Sequence, residues 1–236
     1  MRRVRVLVTC EHGGNKIPAQ YRPLFSKMRS ALQSHRGYDP GALALARDLA
    51  HAFDAELVYS TTSRLLVELN RSPNHKQVFS EATRDLPPAE RERLLARFYR
   101  PYREWVESQV GAGVKAGDHV VHVSSHSFTP QLDGEVRRAD IGLLYDPKRR
   151  SERDLCGAWQ RAIGQADGNL VVRRNYPYRG SADGLTTHLR KRYPDGRYTG
   201  VEIEVNQKHT TGDGTRWRAL RNLLVDSLSK TLGLLS

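Results

Sequence analysis

Cysteine is scarce in this chain: Cys10 and Cys156 are the two among 236 residues, and they do not form a Cys-x-x-Cys pair. That excludes a disulfide framework and a cysteine-based metal knuckle, and two reduced thiols are the simplest reading. No stretch approaches the roughly 20 apolar residues a membrane helix needs, so no membrane span is expected. Met1-Arg2-Arg3 runs into only about six apolar-rich residues before Thr9 and Glu11, too short and polar for a secretory leader, and a cytoplasmic protein is expected. Internal repeats, low-complexity tracts and Pro/Gly/Ser-rich linkers are also lacking, so residues 1–236 read as one domain. Aromatic residues are not interleaved with basic ones as in an RRM or OB nucleic-acid face.

Positive charge is what the chain has in excess, with a formal net charge of +12. Such a surplus attracts anions of any kind, whether nucleic acid, an acidic membrane or a carboxylate metabolite. The basic residues are spread out, in small groups such as Arg137-Arg138, Lys148-Arg149-Arg150, Arg173-Arg174 and Arg190-Lys191-Arg192. That dispersion fits a solvated surface and a small anionic partner better than a nucleic-acid track.

Apolar runs alternate with helical patterns, which predicts an α/β fold with crossover helices. Strands are predicted at 4–8, 56–60, 119–125, 140–145, 169–173 and 199–205. After the first strand comes a loop-rich insertion over about 13–38, closed by Asp39-Pro40-Gly41, with Asp39 as N-cap and Pro40 at the first helical position. Leu43, Ala46, Leu49, Ala50 and Phe53 would form that helix's core face. A long helix is predicted over 88–110, with Leu94, Leu95, Phe98, Tyr102, Trp105 and Val106 on one face and a kink at Pro101. A last helix over 215–232 carries a core stripe of Trp217, Leu220, Leu224 and Leu228.

Residues of catalytic type stand where these strands end, the usual ligand-binding edge of a parallel sheet. The first strand empties into Glu11-His12-Gly13-Gly14-Asn15, where two glycines would let the backbone turn sharply and present His12. The strand over 119–125 ends the same way in His126-Ser127-Phe128. Asp39 either caps a helix or joins the histidines. After the second strand come Arg64, Glu68, Asn70 and Arg71, two of them guanidinium forks suited to carboxylates. In the last strand Glu202 and Glu204, two apart, share one face, and a carboxylate within an apolar strand needs a reason. Two imidazoles and one carboxylate can hold a catalytic zinc, with water in the fourth position activated by the metal and a separate carboxylate as base.

Glu11-His12-Gly13-Gly14-Asn15-Lys16-Ile17-Pro18, Ser63-Arg64-Leu65-Leu66-Val67-Glu68-Leu69-Asn70-Arg71-Ser72-Pro73, Ser125-His126-Ser127 and Asn175-Tyr176-Pro177-Tyr178-Arg179-Gly180 together resemble the N-formylglutamate amidohydrolase family. The resemblance runs over about residues 5–230 and extends, more distantly, to aspartoacylase, succinylglutamate desuccinylase and the zinc carboxypeptidases. It implies a mixed, mainly parallel sheet flanked by helices, of the zinc-carboxypeptidase-like (phosphorylase/hydrolase-like) kind, and one zinc ion per chain. It implies hydrolysis of a small N-acyl group from an acidic amino acid, N-formyl-L-glutamate giving formate and glutamate. By that likeness His12 and His126 match the ligand histidines, Glu204 the base and Arg64 the oxyanion-facing arginine. Asn70 and Arg71 match the substrate-gripping acidic-Leu-Asn-Arg motif, here led by Glu68. Arg138 and Arg179 fall in regions that resemble substrate-side loops.

The relatives place a ligand glutamate three residues after the first histidine, where this chain has Asn15. Asp39, which opens the helix after the insertion, is therefore expected as third ligand, with Asn15 and Glu11 as alternatives; Glu202 is the alternative to Glu204. Cobalt, manganese or iron also suits such a donor set. Three other readings stay open: a carboxypeptidase-like or other small-amide hydrolase, a non-catalytic basic protein that binds polyanions or nucleic acid, and nucleophilic chemistry at Cys10.

Overall fold

The computed structural model describes residues 3–235; Met1, Arg2 and Ser236 lie outside the described residues, and with them part of the segment read for a leader. In chain order the elements are β1 (Val4–Cys10), α1 (Arg29–Leu32), α2 (Ala42–Ala52), β2 (Glu56–Tyr59), α3 (Pro88–Leu94), α4 (Arg100–Lys115), β3 (His119–Phe128), β4 (Gln131–Leu132), β5 (Glu135–Val136), β6 (Ile141–Leu144), α5 (Arg150–Ala166), β7 (Val172–Arg174), α6 (Leu185–Arg192), β8 (Tyr198–Asn206) and α7 (Gly214–Leu235). Six strands form one sheet in the order β2-β1-β3-β8-β6-β7. The first four run parallel, β6 lies antiparallel to β8, and β7 follows β6 in parallel. The sheet is thus mixed and mainly parallel, as expected.

The two-residue period of the central strands sorts the faces. Val8 and Cys10, Val121 and Val123, and Val201, Ile203 and Val205 pack with α2, α5 and α7, where Trp159, Leu224 and Leu228 are buried. The alternate residues Leu7, Val120 and Tyr198 pack under α4 and α6 with Val106, Val110 and Leu189. Along this second face the strands change character: Leu7, Val120 and Tyr198 give way, towards the carboxyl ends, to Thr9, Ser124, His126, Glu202 and Glu204. Side chains two apart share a face, so the polar ends form one continuous patch beyond the apolar core.

Three local expectations need correction. The helix opened by the Asp39-Pro40-Gly41 segment begins at Ala42 with Gly41 (φ 83°) as its cap, so Asp39 is not the N-cap and Pro40 is not the first helical residue. The helix predicted over 88–110 extends to Lys115, with a π turn over Leu95–Tyr99. There Arg100 N donates to Leu95 O, a wider turn that spares the Pro101 ring the clash with the carbonyl four residues back. The extra residue rotates the buried stripe onto Tyr99, Tyr102, Val106 and Val110, and Trp105, expected inside, is 51% exposed. The strand expected at 169–173 starts at Val172 because Asp167 turns the chain, accepting from the backbone N–H of Asn169 and Leu170.

Candidate active site

His12 leaves the end of β1 through Gly13 and Gly14. Neither glycine has positive φ; what they provide is close approach, since a Cβ would lie 2.9 Å from Ser60 O at Gly13 and 2.8 Å from Thr61 O at Gly14. The insertion that follows folds back, and Asp39 N donates to His12 O at 2.9 Å. That single backbone bond brings residues 27 apart in sequence side by side. His126 comes from β3, two strand positions beyond Ser124, and Glu204 of β8 is its in-register neighbour.

The side chains converge on Asp39. Its Oδ2 lies 3.2 Å from His12 Nδ1 and 2.9 Å from His126 Nδ1. Ligand atoms of His12, Asp39 and His126 all lie within 4.8 Å of one another, and all three residues are buried. Each imidazole also turns its other nitrogen to a carboxylate: His12 Nε2 to Glu68 Oε1 at 2.5 Å, His126 Nε2 to Glu11 Oε2 at 3.0 Å. An outward nitrogen tied to a carboxylate, with the inward one aimed at a shared point, is the arrangement that orients metal-ligating histidines. The donor set therefore fits a divalent ion.

Burial shifts every group here, and the neighbours decide the sign. Burial would lower the pKa of His126, but hydrogen bonds to Asp39 and Glu11 and their charges raise it well above the ordinary histidine value. His12 is raised as well: burial and Arg64 oppose its charge, while Glu68 and Asp39 favour it. Asp39 resists burial through the charge and hydrogen bond of His12, a hydrogen bond from His126 and the charge of Arg64, and stays far below the usual carboxylate range. Glu11 and Glu68 are held low in the same way. Glu204 is the exception: burial dominates, Asp39 and Glu202 add to it, and its pKa rises to about 8 despite His126 and His12. Its Oε2 is buried without a hydrogen-bond partner among the described residues. A carboxyl so placed takes up and gives back a proton near neutral pH.

A cavity of about 860 Å³ opens over this group. Of the anticipated residues it gathers His12, Asp39, Arg64, Asn70, Arg71, His126, Arg179, Glu202 and Glu204 in its walls. Arg64 is engaged, its Nε donating to Glu68 Oε2 at 2.7 Å and its Nη1 to Asp39 Oδ1 at 3.4 Å. Asn70 Oδ1 accepts from Leu185 N at 2.7 Å, which leaves Nδ2 near His126. Arg71 donates to the Asp183 carbonyl and still borders the cavity. Glu202 accepts from Thr186 Oγ1 at 2.7 Å.

Other expectations are not met. Arg138 is exposed and outside the cavity wall; in the irregular segment after β5 its neighbour Arg137 is the one buried. Asn15 binds Leu32 O and Gln33 Oε1, away from the histidines. Glu11 orients His126, and its carboxylate is further occupied by Ser124 and Tyr102. Glu68, read as part of a substrate-gripping motif, instead holds His12 and Arg64. Burial pushes the Cys10 thiol well up, an unsuitable state for a nucleophile. Tyr178 joins the site without having been expected from the sequence. It borders the cavity, and its hydroxyl oxygen accepts from Arg137 Nη1 at 3.0 Å, leaving its own O–H as a donor. Its signal in the sequence is its place two residues before Gly180, next to Arg179 in the Asn175–Gly180 segment. Asn175 (φ 52°) holds that segment, its Oδ1 accepting from Tyr145 N and Gly180 N at 3.0 Å each.

A mainly parallel α/β sheet, a buried histidine–aspartate–histidine cluster at its carboxyl edge and an unpartnered carboxyl beside it define a hydrolase-type centre able to bind a metal ion. The chain belongs to the N-formylglutamate amidohydrolase family, whose model matches residues 4–210. Its structure is similar to that of gene product Atu2144 from Agrobacterium tumefaciens, with TM-score 0.84, 33% identity, and coverage of 99% of this chain and 92% of that one. The N-formylglutamate amidohydrolase from Ralstonia eutropha JMP134 shares the fold, with TM-score 0.72, 21% identity, and coverage of 98% and 94%. No curated protein matches the sequence. Among the described residues no helix is long and apolar enough to cross a membrane.

Proposed function

We propose that this protein is a zinc-dependent amidohydrolase that removes the acyl group from an N-acylated acidic amino acid, with N-formyl-L-glutamate as substrate and formate and glutamate as products. The observation that carries the reading is the placement of Glu204, buried, unpartnered and in register with His126, next to a three-residue donor set. His12, Asp39 and His126 would hold the ion. When bound there, zinc supplies Lewis acidity, acidifying water and polarising the amide carbonyl.

The chain's own residues account for the rest. Glu204 takes a proton from the attacking water as the new C–O bond forms, then delivers it to the amide nitrogen as the C–N bond breaks. Arg64 and the Tyr178 O–H face the cavity as donors to the oxygen on which negative charge develops. Arg71 and Arg179, with Asn70 between the former and His126, stand where the substrate carboxylates are held. Glu11 and Glu68 keep both imidazoles oriented and their inward nitrogens available. The substrate is small and anionic, in keeping with the chain's positive charge.

Elemental analysis of the natively purified chain, paired with a formate-release assay, tests the reading. About one zinc per chain is expected, with turnover of N-formyl-L-glutamate, and His126→Ala should lose both metal and turnover while its circular dichroism stays native. Normal hydrolysis by His126→Ala would refute the assignment.

A further inference from the structure

N-Formyl-L-glutamate has about 12 non-hydrogen atoms, whereas pockets of roughly 300–1,000 Å³ enclose much larger, drug-sized ligands. The cavity, at about 860 Å³, is at the upper end of that range. It does not stop there. A second cavity of about 440 Å³ shares Lys76, Phe79 and Arg84 with it and continues past His75 and Arg91.

This extension is basic and its charges are largely uncompensated. Its one lining carboxylate, Glu92, is held by Arg100 at 2.7 Å. Arg84 reaches Asp85 at 3.4 Å, both well exposed, and Lys76 has no carboxylate partner among the described residues. Arg91 lies over the Phe79 ring, 5.9 Å from its centroid, with Nε buried and without a hydrogen-bond partner among the described residues. Three cations lining a cavity that shares Lys76, Phe79 and Arg84 with the one over the reacting centre call for an anion on the substrate beyond the amino acid being deacylated.

We infer that the preferred substrate is an N-acylated acidic dipeptide, whose second acidic residue lies in the groove of Lys76, Arg84 and Arg91. The inference rests on the amidohydrolase reading and deepens it. The chemistry is unchanged: water adds across the acyl C–N bond, and formate and a dipeptide with a free amino group leave.

The test compares N-formyl-L-glutamate, N-formyl-Glu-Glu and N-formyl-Glu-Ala on the zinc-loaded full chain. The Glu-Glu compound should exceed the other two in kcat/KM by about tenfold, the gain expected of two partly exposed charge contacts. The gain should sit in KM and shrink with added salt. Arg91→Gln and Lys76→Gln should each remove several-fold of it and leave kcat/KM for N-formyl-L-glutamate unchanged. Equal kcat/KM for all three compounds, or a gain untouched in both variants, overturns the inference and leaves the amidohydrolase reading standing. Hydrolysis of none of the three overturns both.

Discussion

Glu204 sits where a carboxylate is unwelcome, and the cost of ionising it can be measured. In the metal-free chain its pKa rises from 4.5 to about 8, chiefly through burial. A group whose folded pKa lies above its unfolded value contributes its stability fully below the unfolded pKa and loses it as pH rises through the folded one. Folding is therefore progressively penalised from pH 4.5 to about 8. At 1.36 kcal/mol per unit the penalty approaches ~3 kcal/mol by pH 7 and ~5 kcal/mol above pH 8. Glutamine has the same shape and no charge, so Glu204→Gln should match the wild type near pH 4.5 and outlast it increasingly as pH rises. For a chain of this length ~3 kcal/mol corresponds to a Tm gap of about 6–12 °C. The assay is thermal unfolding of chelator-treated wild type and variant side by side from pH 4.5 to 8. The zinc-loaded variant should meanwhile lose about 10²–10⁴-fold in kcat. A Tm gap that does not change with pH would refute the argument, because it would mean that Glu204 does not titrate between its ordinary value and about 8.

His122 supplies a pH effect of the other sign. It is buried between Thr9 Oγ1 (2.9 Å) and Tyr198 Oη (2.8 Å), and burial lowers its pKa to about 4. Its stabilising share is present above pH 6.5 and is lost as pH falls towards 4, so the acid midpoint of unfolding should shift downwards in His122→Gln. An unshifted midpoint in tryptophan fluorescence would count against it. At Gly142, a Cβ would overlap the Tyr176 carbonyl and come within 3.2 Å of Glu204 Cβ. Gly142→Ala should therefore destabilise by about 1–3 kcal/mol and lower kcat/KM by displacing Tyr178 and Glu204. Denaturant unfolding together with formate-release kinetics would check both effects, and wild-type values in both would show that the overlap relaxes freely.

Much of the candidate site was visible before folding was considered. His12 and His126 stand at the carboxyl ends of β-branched runs, and Glu202 and Glu204 interrupt another at period two; both signals are local. Choosing between those glutamates needed the third dimension: Glu202 is held by Thr186, while Glu204 Oε2 has no partner. Arg138 was misplaced because a one-residue shift in an irregular segment exchanges inside for outside. Trp105 failed for a related reason, the π turn advancing the helix face by one residue. Glu68 and Glu11 were visible as residues, but their task depended on which imidazole nitrogen each would meet.

Local chemistry therefore settled the central strands, most of the apolar faces and the polar strand ends, because periodicity and side-chain character act over a few residues. The meeting of His12, Asp39 and Glu68, separated by 27 and 56 positions, had no such basis. It depends on the insertion folding back so that Asp39 N reaches His12 O, and on the parallel register that sets His126 beside Glu204. Long-range hydrogen bonds and exclusion of water made that choice, and no window along the chain contains them.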